Sequence, residues 1–227
     1  MYAKFWKRVL DFSLSLAALI MLSPLLLIMT VTGAVIMGGN PFFTQIRPGR
    51  DETLFRMIKF RSMTNKKDAE GRLLPDAQRL TGYGRFIRET SLDELPELLN
   101  ILAGHMSIVG PRPQLVRDMV FMTPEQRRRH TVRQGLTGLA QCNGRNGISW
   151  EKKLEYDLKY IESITFWGDV AILLKTVLSV VRREGVHEEE MATSEDYGDY
   201  LLRIGAVDLH TYKAKLAEAE EKLGAGV

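Results

Sequence analysis

The segment SLDELPELLN, residues 91–100, places two adjacent carboxylates, Asp93 and Glu94, where a helix begins, just downstream of Arg85 and Arg88. Two helix registers fit it. With Ser91 as N-cap, Glu94 falls at N3 and SLDE makes a capping box, but Pro96 then leaves the Leu92 carbonyl unpaired. With Pro96 at N1, the carboxylates occupy the last turn of the preceding loop. Both registers set them at the positive end of a helix, which favours the ionised form and holds its orientation. A helix cap explains Ser91 and Glu94 but leaves the arginines without a purpose. A site for phosphate chemistry accounts for the arginines as well.

Further candidates follow from residue type and spacing. In IKFRSM, residues 58–63, Lys59 and Arg61 fall two apart on a strand and so on one face, as a solvated face or as half of a phosphate clamp. In SIVGPRPQ, Arg112 is held between Pro111 and Pro113, so its guanidinium loses little entropy on a bidentate contact to phosphate. The stretch RQGLTGLAQCNGRNG, residues 133–147, carries glycines that let backbone N–H groups approach an anion, with Gln141, Asn143, Arg145 and Asn146 available to read a base or sugar. TPEQ, residues 123–126, is a helix start with Thr123 as cap, Pro124 at N1 and Gln126 at N3. The run Arg127 to Arg129 reads as a solvated face or a lipid-headgroup contact. Asp157 rides on a helix that begins near Ser149.

The elements that position these groups start in a membrane. From Phe12 to Met37 no residue is charged, and about 26 residues at about 1.5 Å each reach about 39 Å, beyond the roughly 30 Å of a hydrocarbon core. That run is too long for a signal peptide, and no small-residue cleavage site follows it. Basic residues flank it on both sides, Lys4, Lys7 and Arg8 before and Arg47, Arg50, Arg56, Lys59 and Arg61 after, which a simple crossing would misplace. At its centre Pro24 cannot bond the Ile20 carbonyl, and the Ser23 hydroxyl can reach back to Leu19. Ser23-Pro24 therefore predicts a re-entrant helix-break-helix, with the remainder facing the cytosol.

Downstream, FFTQIRPGRDETLFRMIKF reads as two strands around a Pro48-Gly49 turn. SITFWGDVAILLKTVLSVV is amphipathic and reads equally as an interfacial or a core helix. Beyond Glu184 the chain turns acidic and closes on a short helix with Glu and Lys partners. The predicted fold is an α-rich α+β monotopic membrane protein: a re-entrant segment over 1–40, a small cytosolic catalytic domain with amphipathic interfacial helices over 41–184, and an acidic C-terminal tail over 185–227. A net charge of +3, from 31 basic and 28 acidic residues, gives no global field for nucleic acid. The lone Cys142 makes no internal disulfide and fits a reducing compartment.

Taken in order, the basic N-terminus, the apolar Ser23-Pro24 segment, IKFRSM, IRETSLDELPELLNIL, MSIVGPRP and RQGLTGLAQCNGRN followed by WEKKLEYD resemble the monotopic polyprenyl-phosphate phosphoglycosyl transferases, also called bacterial sugar transferases. The resemblance runs from about residue 2 to about 184 and is to the compact form of the family. It implies transfer of a phospho-sugar from a UDP-sugar to polyprenyl (undecaprenyl) phosphate, releasing UMP, at the bacterial inner membrane with the catalytic domain facing the cytoplasm. It assigns Asp93 as nucleophile, forming an aspartyl phospho-sugar, and Glu94 as ligand of Mg²⁺. Lys59, Arg88 and Arg112 would bind substrate phosphate, and Asp157 would have a structural or metal-orienting role. The resemblance is closest to small enzymes that start N-linked protein glycosylation, which favours UDP-N,N′-diacetylbacillosamine. Capsule, exopolysaccharide and O-antigen initiation use the same motifs with other sugars. Two rivals are a glycosyl transferase that releases UDP and a membrane-anchored scaffold that binds anionic lipid through its basic patches.

Overall fold

The computed structural model describes residues 1–144, 147–181 and 195–225. After a short π-helical turn at Tyr2–Trp6, α1 runs from Lys7 to Met37. A hairpin follows, β1 (Phe42–Pro48) and β2 (Leu54–Phe60), antiparallel with Phe43 opposite Lys59. Then come α2 (Asp76–Arg79), α3 (Gly82–Glu89), α4 (Glu97–Ala103) and β3 (Met106–Val109). Two short helices, α5 (Val116–Met119) and α6 (Pro124–Arg127), lead to β4 (Gln134–Thr137), which pairs parallel with β3. The chain closes with α7 (Trp150–Glu162), α8 (Phe166–Val181), α9 (Tyr197–Arg203) and α10 (Leu209–Ala225). This is the expected helix-rich α+β fold, with one long apolar N-terminal helix compatible with a monotopic anchor.

That helix continues through Ser23-Pro24 without the interruption expected there. The Ser23 hydroxyl donates to the Ile20 carbonyl at 2.8 Å rather than to Leu19. Ile20 carries the carbonyl that Pro24 leaves unpaired, so the hydroxyl offsets the lost bond within the helix. One face of α1 lies against the rest of the chain along most of its length. Arg8 donates to the Ile101 and Leu102 carbonyls at 2.6 and 2.8 Å, a cation at the C-terminus of α4. Buried Asp11 accepts from Ser107 Oγ at 2.7 Å and from the Ile108 N–H at 3.0 Å. Ala18, Leu19 and Leu22 pack on Phe55, Met57 and Ile101, and farther along Leu25, Leu26 and Met29 meet Phe60 and Ile87. The opposite face, with Ile20, Met21, Leu27, Ile28, Val31 and Val35, is exposed.

Asp169, at the start of α8, ties the two apolar helices together. It accepts from Lys7 Nζ and Tyr2 Oη, each at 2.6 Å, and from Tyr160 Oη at 2.9 Å. Ile172 is buried against Val109 and Tyr160, while Phe166, Trp167, Leu174, Val177 and Leu178 face outward. Thus α8 is at once a packed helix and a helix with an open apolar face. The acidic end from 185 was expected to carry no chemistry; of it, residues 195–225 dock on the rest of the chain. The Tyr197 N–H bonds Asp118 Oδ1 at 2.9 Å, and Ala219 of α10 packs on Val116, Met119 and Val120.

Two close backbone approaches set where the loops after β2 and β3 lie. A Cβ on Gly84 of α3 would stand 1.8 Å from the Ser62 carbonyl oxygen, and one on Gly135 would stand 2.1 Å from the Gly110 nitrogen. Gly135 and Gly110 therefore serve backbone packing, with Gly110 N–H donating to Thr137 O at 2.8 Å, and the anion-cradling role expected of Gly135 is not what its position provides. Replacing Gly84 by alanine is expected to destabilise the fold by roughly 1–3 kcal/mol, since α3 must move off Ser62. Thermal denaturation of the detergent-solubilised chain checks this; an unchanged Tm would mean that α3 does not rest there.

Candidate active site

Asp93 and Glu94 do not follow the Ser91-capped register and come within one residue of the other. Ser91 takes a left-handed conformation, φ 56°, so it makes no capping bond, and Leu92–Glu94 form a single 3-10 turn. Pro96 is the N-cap of α4 rather than its first residue, and the carboxylates lie in the turn just before it. A serine at positive φ stores strain of about 1 kcal/mol, and here it reverses the chain between α3 and α4.

Three elements converge on this turn. From β2, Lys59 Nζ lies 2.6 Å from Glu94 Oε1 and 3.2 Å from Glu97 Oε1. From the loop after β3, Arg112 Nη2 donates to the same Glu94 oxygen at 3.0 Å. From α3, Arg88 Nε donates to Ser62 Oγ at 2.8 Å, which orients its guanidinium toward a cavity of about 920 Å³. Lys59, Arg88, Asp93, Glu94, Arg112, Gln141 and Asp157 all line that cavity, as does Arg61. Asn143 is not brought in: its Nδ2 donates to the Leu139 carbonyl at 2.6 Å and holds the local turn. Arg145 lies outside the described residues.

The two carboxylates are driven apart electrostatically. Burial alone would raise Glu94, but Lys59 and then Arg112 hold it down at about 2, so it is always ionised. Burial, and then the charge on Glu94, push Asp93 up to about 6 against the field of Lys59, Arg88 and Arg112. Glu97, nearly inaccessible in the first turn of α4, is pushed by burial up to about 7 against Lys59, with Glu94 adding to the rise. Asp93 is therefore a desolvated carboxylate with raised basicity inside a cationic shell, suited to nucleophilic attack on an anionic phosphorus. Any step that needs its ionised form should slow about tenfold per pH unit below about 6 and level off above it. The stability counterpart has the opposite sign: the folded state holds the Asp93 proton more tightly, so stability falls as pH rises from about 4 to about 6. A flat single-turnover rate between pH 5 and 8 would rule out Asp93 as the group that must lose its proton.

Several contributors were not foreseen. Arg129 was expected on a solvated or lipid-contacting face, yet its side chain is wholly inaccessible. It donates from Nε and Nη2 to Asp157 Oδ2 at 2.9 and 2.7 Å, and from Nη2 to the Arg112 carbonyl at 2.5 Å. Asp157 is thus linked through Arg129 to the backbone of Arg112. The other two arginines of that run form ion pairs, Arg127 with Glu52 and Arg128 with Glu125. Arg47 of β1 also lines the cavity; burial, then Arg112, lower it to about 10. The alternation of β1 carried a signal for Arg47, two residues from Gln45 and on the same face. Arg129 had none, because a triple-arginine run looks the same whether or not one member is buried.

The model of the bacterial sugar transferase family matches residues 2–183. The chain belongs to this family. It is 44% identical over 191 residues to EpsL of Bacillus subtilis, an uncharacterized sugar transferase, covering 84% of this chain and 95% of that one. It is 37% identical over 204 residues to the undecaprenyl-phosphate galactose phosphotransferase of Salmonella typhimurium, covering 82% of this chain and 42% of the relative. Against the UDP-glucose:undecaprenyl-phosphate glucose-1-phosphate transferase of Klebsiella pneumoniae it is 40% identical over 182 residues, covering 76% and 39%. The chain thus spans nearly all of EpsL and about two fifths of the two larger relatives. Membership makes it a phosphoglycosyl transferase. The matched region holds every residue of the carboxylate cluster and ends before α9 and α10.

Proposed function

We propose that the chain transfers a phospho-sugar from a UDP-sugar to undecaprenyl phosphate through a covalent intermediate on Asp93. The observation that carries this is the pairing of Asp93, raised to about 6, with Glu94, held at about 2, inside a cavity lined by Lys59, Arg88 and Arg112. An Asp93 oxygen attacks the β-phosphorus, the bond from that phosphorus to the bridging oxygen breaks, and UMP leaves. An oxygen of undecaprenyl phosphate then attacks the same phosphorus and displaces the carboxylate. Lys59, Arg88 and Arg112 neutralise charge on the transferring and leaving groups.

The donor set fits Mg²⁺. Among the described residues no group of three or more acidic, histidine or cysteine side chains is placed to hold a metal alone. Glu94 is ionised and both cations contact its Oε1, so its Oε2 would be the protein's ligand to the ion, a hard oxygen donor of the kind Mg²⁺ takes. Bound there, the ion supplies charge neutralisation of the diphosphate.

The membrane placement follows from α1. Its contacts from Arg8 to Met29 extend over about 32 Å along one flank of the domain, so an upright α1 would draw that flank through the bilayer. An α1 that lies in or dips into one leaflet, with Ile20, Met21 and Val35 in lipid, keeps the domain in water. Trp167, Val177 and Leu178 of α8 would reach the same leaflet. The inner leaflet of the cytoplasmic membrane, which faces the cytosol where nucleotide sugars occur, suits this geometry.

The relatives named for glucose and galactose put UDP-glucose and UDP-galactose first among donors, with UDP-N,N′-diacetylbacillosamine, favoured by the resemblance to N-glycosylation enzymes, tested beside them. The experiment is nucleotide identity. Detergent-solubilised chain, Mg²⁺ and undecaprenyl phosphate are mixed with each donor, and UMP is the product expected. UDP would indicate ordinary glycosyl transfer, and absence of either nucleotide would favour the lipid-binding scaffold.

A further inference from the structure

One wall of the active-site cavity lies outside the family match. Asp196 lines the cavity and belongs to the segment that docks through α9, beyond residue 183. It is the N-cap residue of α9, yet its side chain makes no capping bond. Its Oδ2 lies 2.8 Å from Arg117 Nη1, and among the described residues its Oδ1 has no hydrogen-bond partner. The segment is held firmly: Trp150 Nε1–H donates to the Glu195 carbonyl at 3.0 Å, and the Trp150 and Tyr197 rings stand 5.0 Å apart.

The carboxylate is thus paired with Arg117 at the wall of a cavity in which Lys59 and Arg112 gather on Glu94, while Arg47 also lines it. A phosphate would be repelled by this carboxylate, whereas ring hydroxyls donate to such an oxygen. We propose that Asp196 accepts a hydrogen bond from a hydroxyl of the nucleotide sugar, making the docked segment at 195–203 a wall that recognises the donor. This rests on the transfer reading above. The hydroxyl belongs either to the ribose of the nucleotide or to the transferred sugar.

The test compares full-length enzyme with Asp196→Ala, Asp196→Asn and Arg117→Gln, using UMP binding and kcat/KM with the best donor of the panel. Asp196→Ala is expected to lower kcat/KM by about 10-fold to 100-fold, the loss of one charge-assisted hydrogen bond, with Asp196→Asn partly restoring it. If UMP affinity falls in parallel, the ribose is the partner; if UMP affinity is unchanged, the transferred sugar is. Arg117→Gln breaks the same ion pair but keeps the carboxylate, so it should cost far less. An Asp196→Ala enzyme within twofold of the unsubstituted one, or an Arg117→Gln enzyme equally impaired, overturns the proposal. Failure of the unsubstituted enzyme to release UMP is seen before any variant is compared and counts against the transfer reading instead.

Discussion

Asp93→Asn should lower UMP release by at least about 10³-fold, the scale on which covalent catalysis fails when its nucleophile is removed. The amide matches the carboxylate in shape, so the 3-10 turn and the Lys59–Glu94–Arg112 cluster should stand. What is lost is the ionised oxygen. The same substitution should leave stability unchanged or raise it by about 1–3 kcal/mol at neutral pH. The sign follows from the Asp93 pKa near 6: burial and Glu94 oppose its charge in the folded state, and a neutral side chain removes that opposition. A raised Tm with no turnover is the signature of a group placed for chemistry at the expense of stability. UMP release from Asp93→Asn within tenfold of the unsubstituted chain would remove Asp93 as nucleophile, and equal retention on liposomes by both proteins would separate catalysis from membrane binding.

The second large effect is structural. Asp157→Ala leaves Arg129 charged, fully inaccessible and without its carboxylate, a change that costs about 3–5 kcal/mol in other buried pairs. For a chain of this length that is roughly 6–20 °C in Tm. Activity should fall further than the loss of folded protein explains, because Arg129 Nη2 also holds the Arg112 carbonyl. The double substitution Arg129→Met with Asp157→Leu should regain much of the Tm, since an apolar pair of similar volume removes the buried charge, but not the activity. Recovery of both together would show that the pair serves stability alone. A Tm for Asp157→Ala within about 2 °C of the unsubstituted protein would mean that water reaches Arg129 in solution.

The site was legible where chemistry is written locally. Asp93, Glu94, Lys59, Arg88 and Arg112 each stand in a short motif whose residue types suit an anion, and the fold brings all five to one cavity. What escaped depended on distance in space. Glu97 stands in none of the motifs picked out above, because its 3.2 Å approach to Lys59 depends on how β2 packs against α4. Arg129 was hidden in a run of three like residues. Local geometry was misjudged at Ser91, whose left-handed backbone excludes it as a cap, and at Ser23, whose hydroxyl bonds Ile20 in an α1 that runs on past Pro24. The docking of α9 and α10 left no local signal: it rests on Asp118, Trp150 and Val116, far away in the sequence.

The most direct test of Asp93 as a covalent phosphoryl acceptor omits the lipid. Full-length enzyme is mixed with Mg²⁺ and the active UDP-sugar, quenched in acid, and measured by intact and peptide mass spectrometry alongside released nucleotide. The account predicts UMP in an amount approaching one per enzyme and a sugar-phosphate adduct on the peptide carrying Asp93, both absent from Asp93→Asn. UMP formed only when undecaprenyl phosphate is added, with no adduct on any peptide, would contradict it and place the two phosphates in a direct, single displacement.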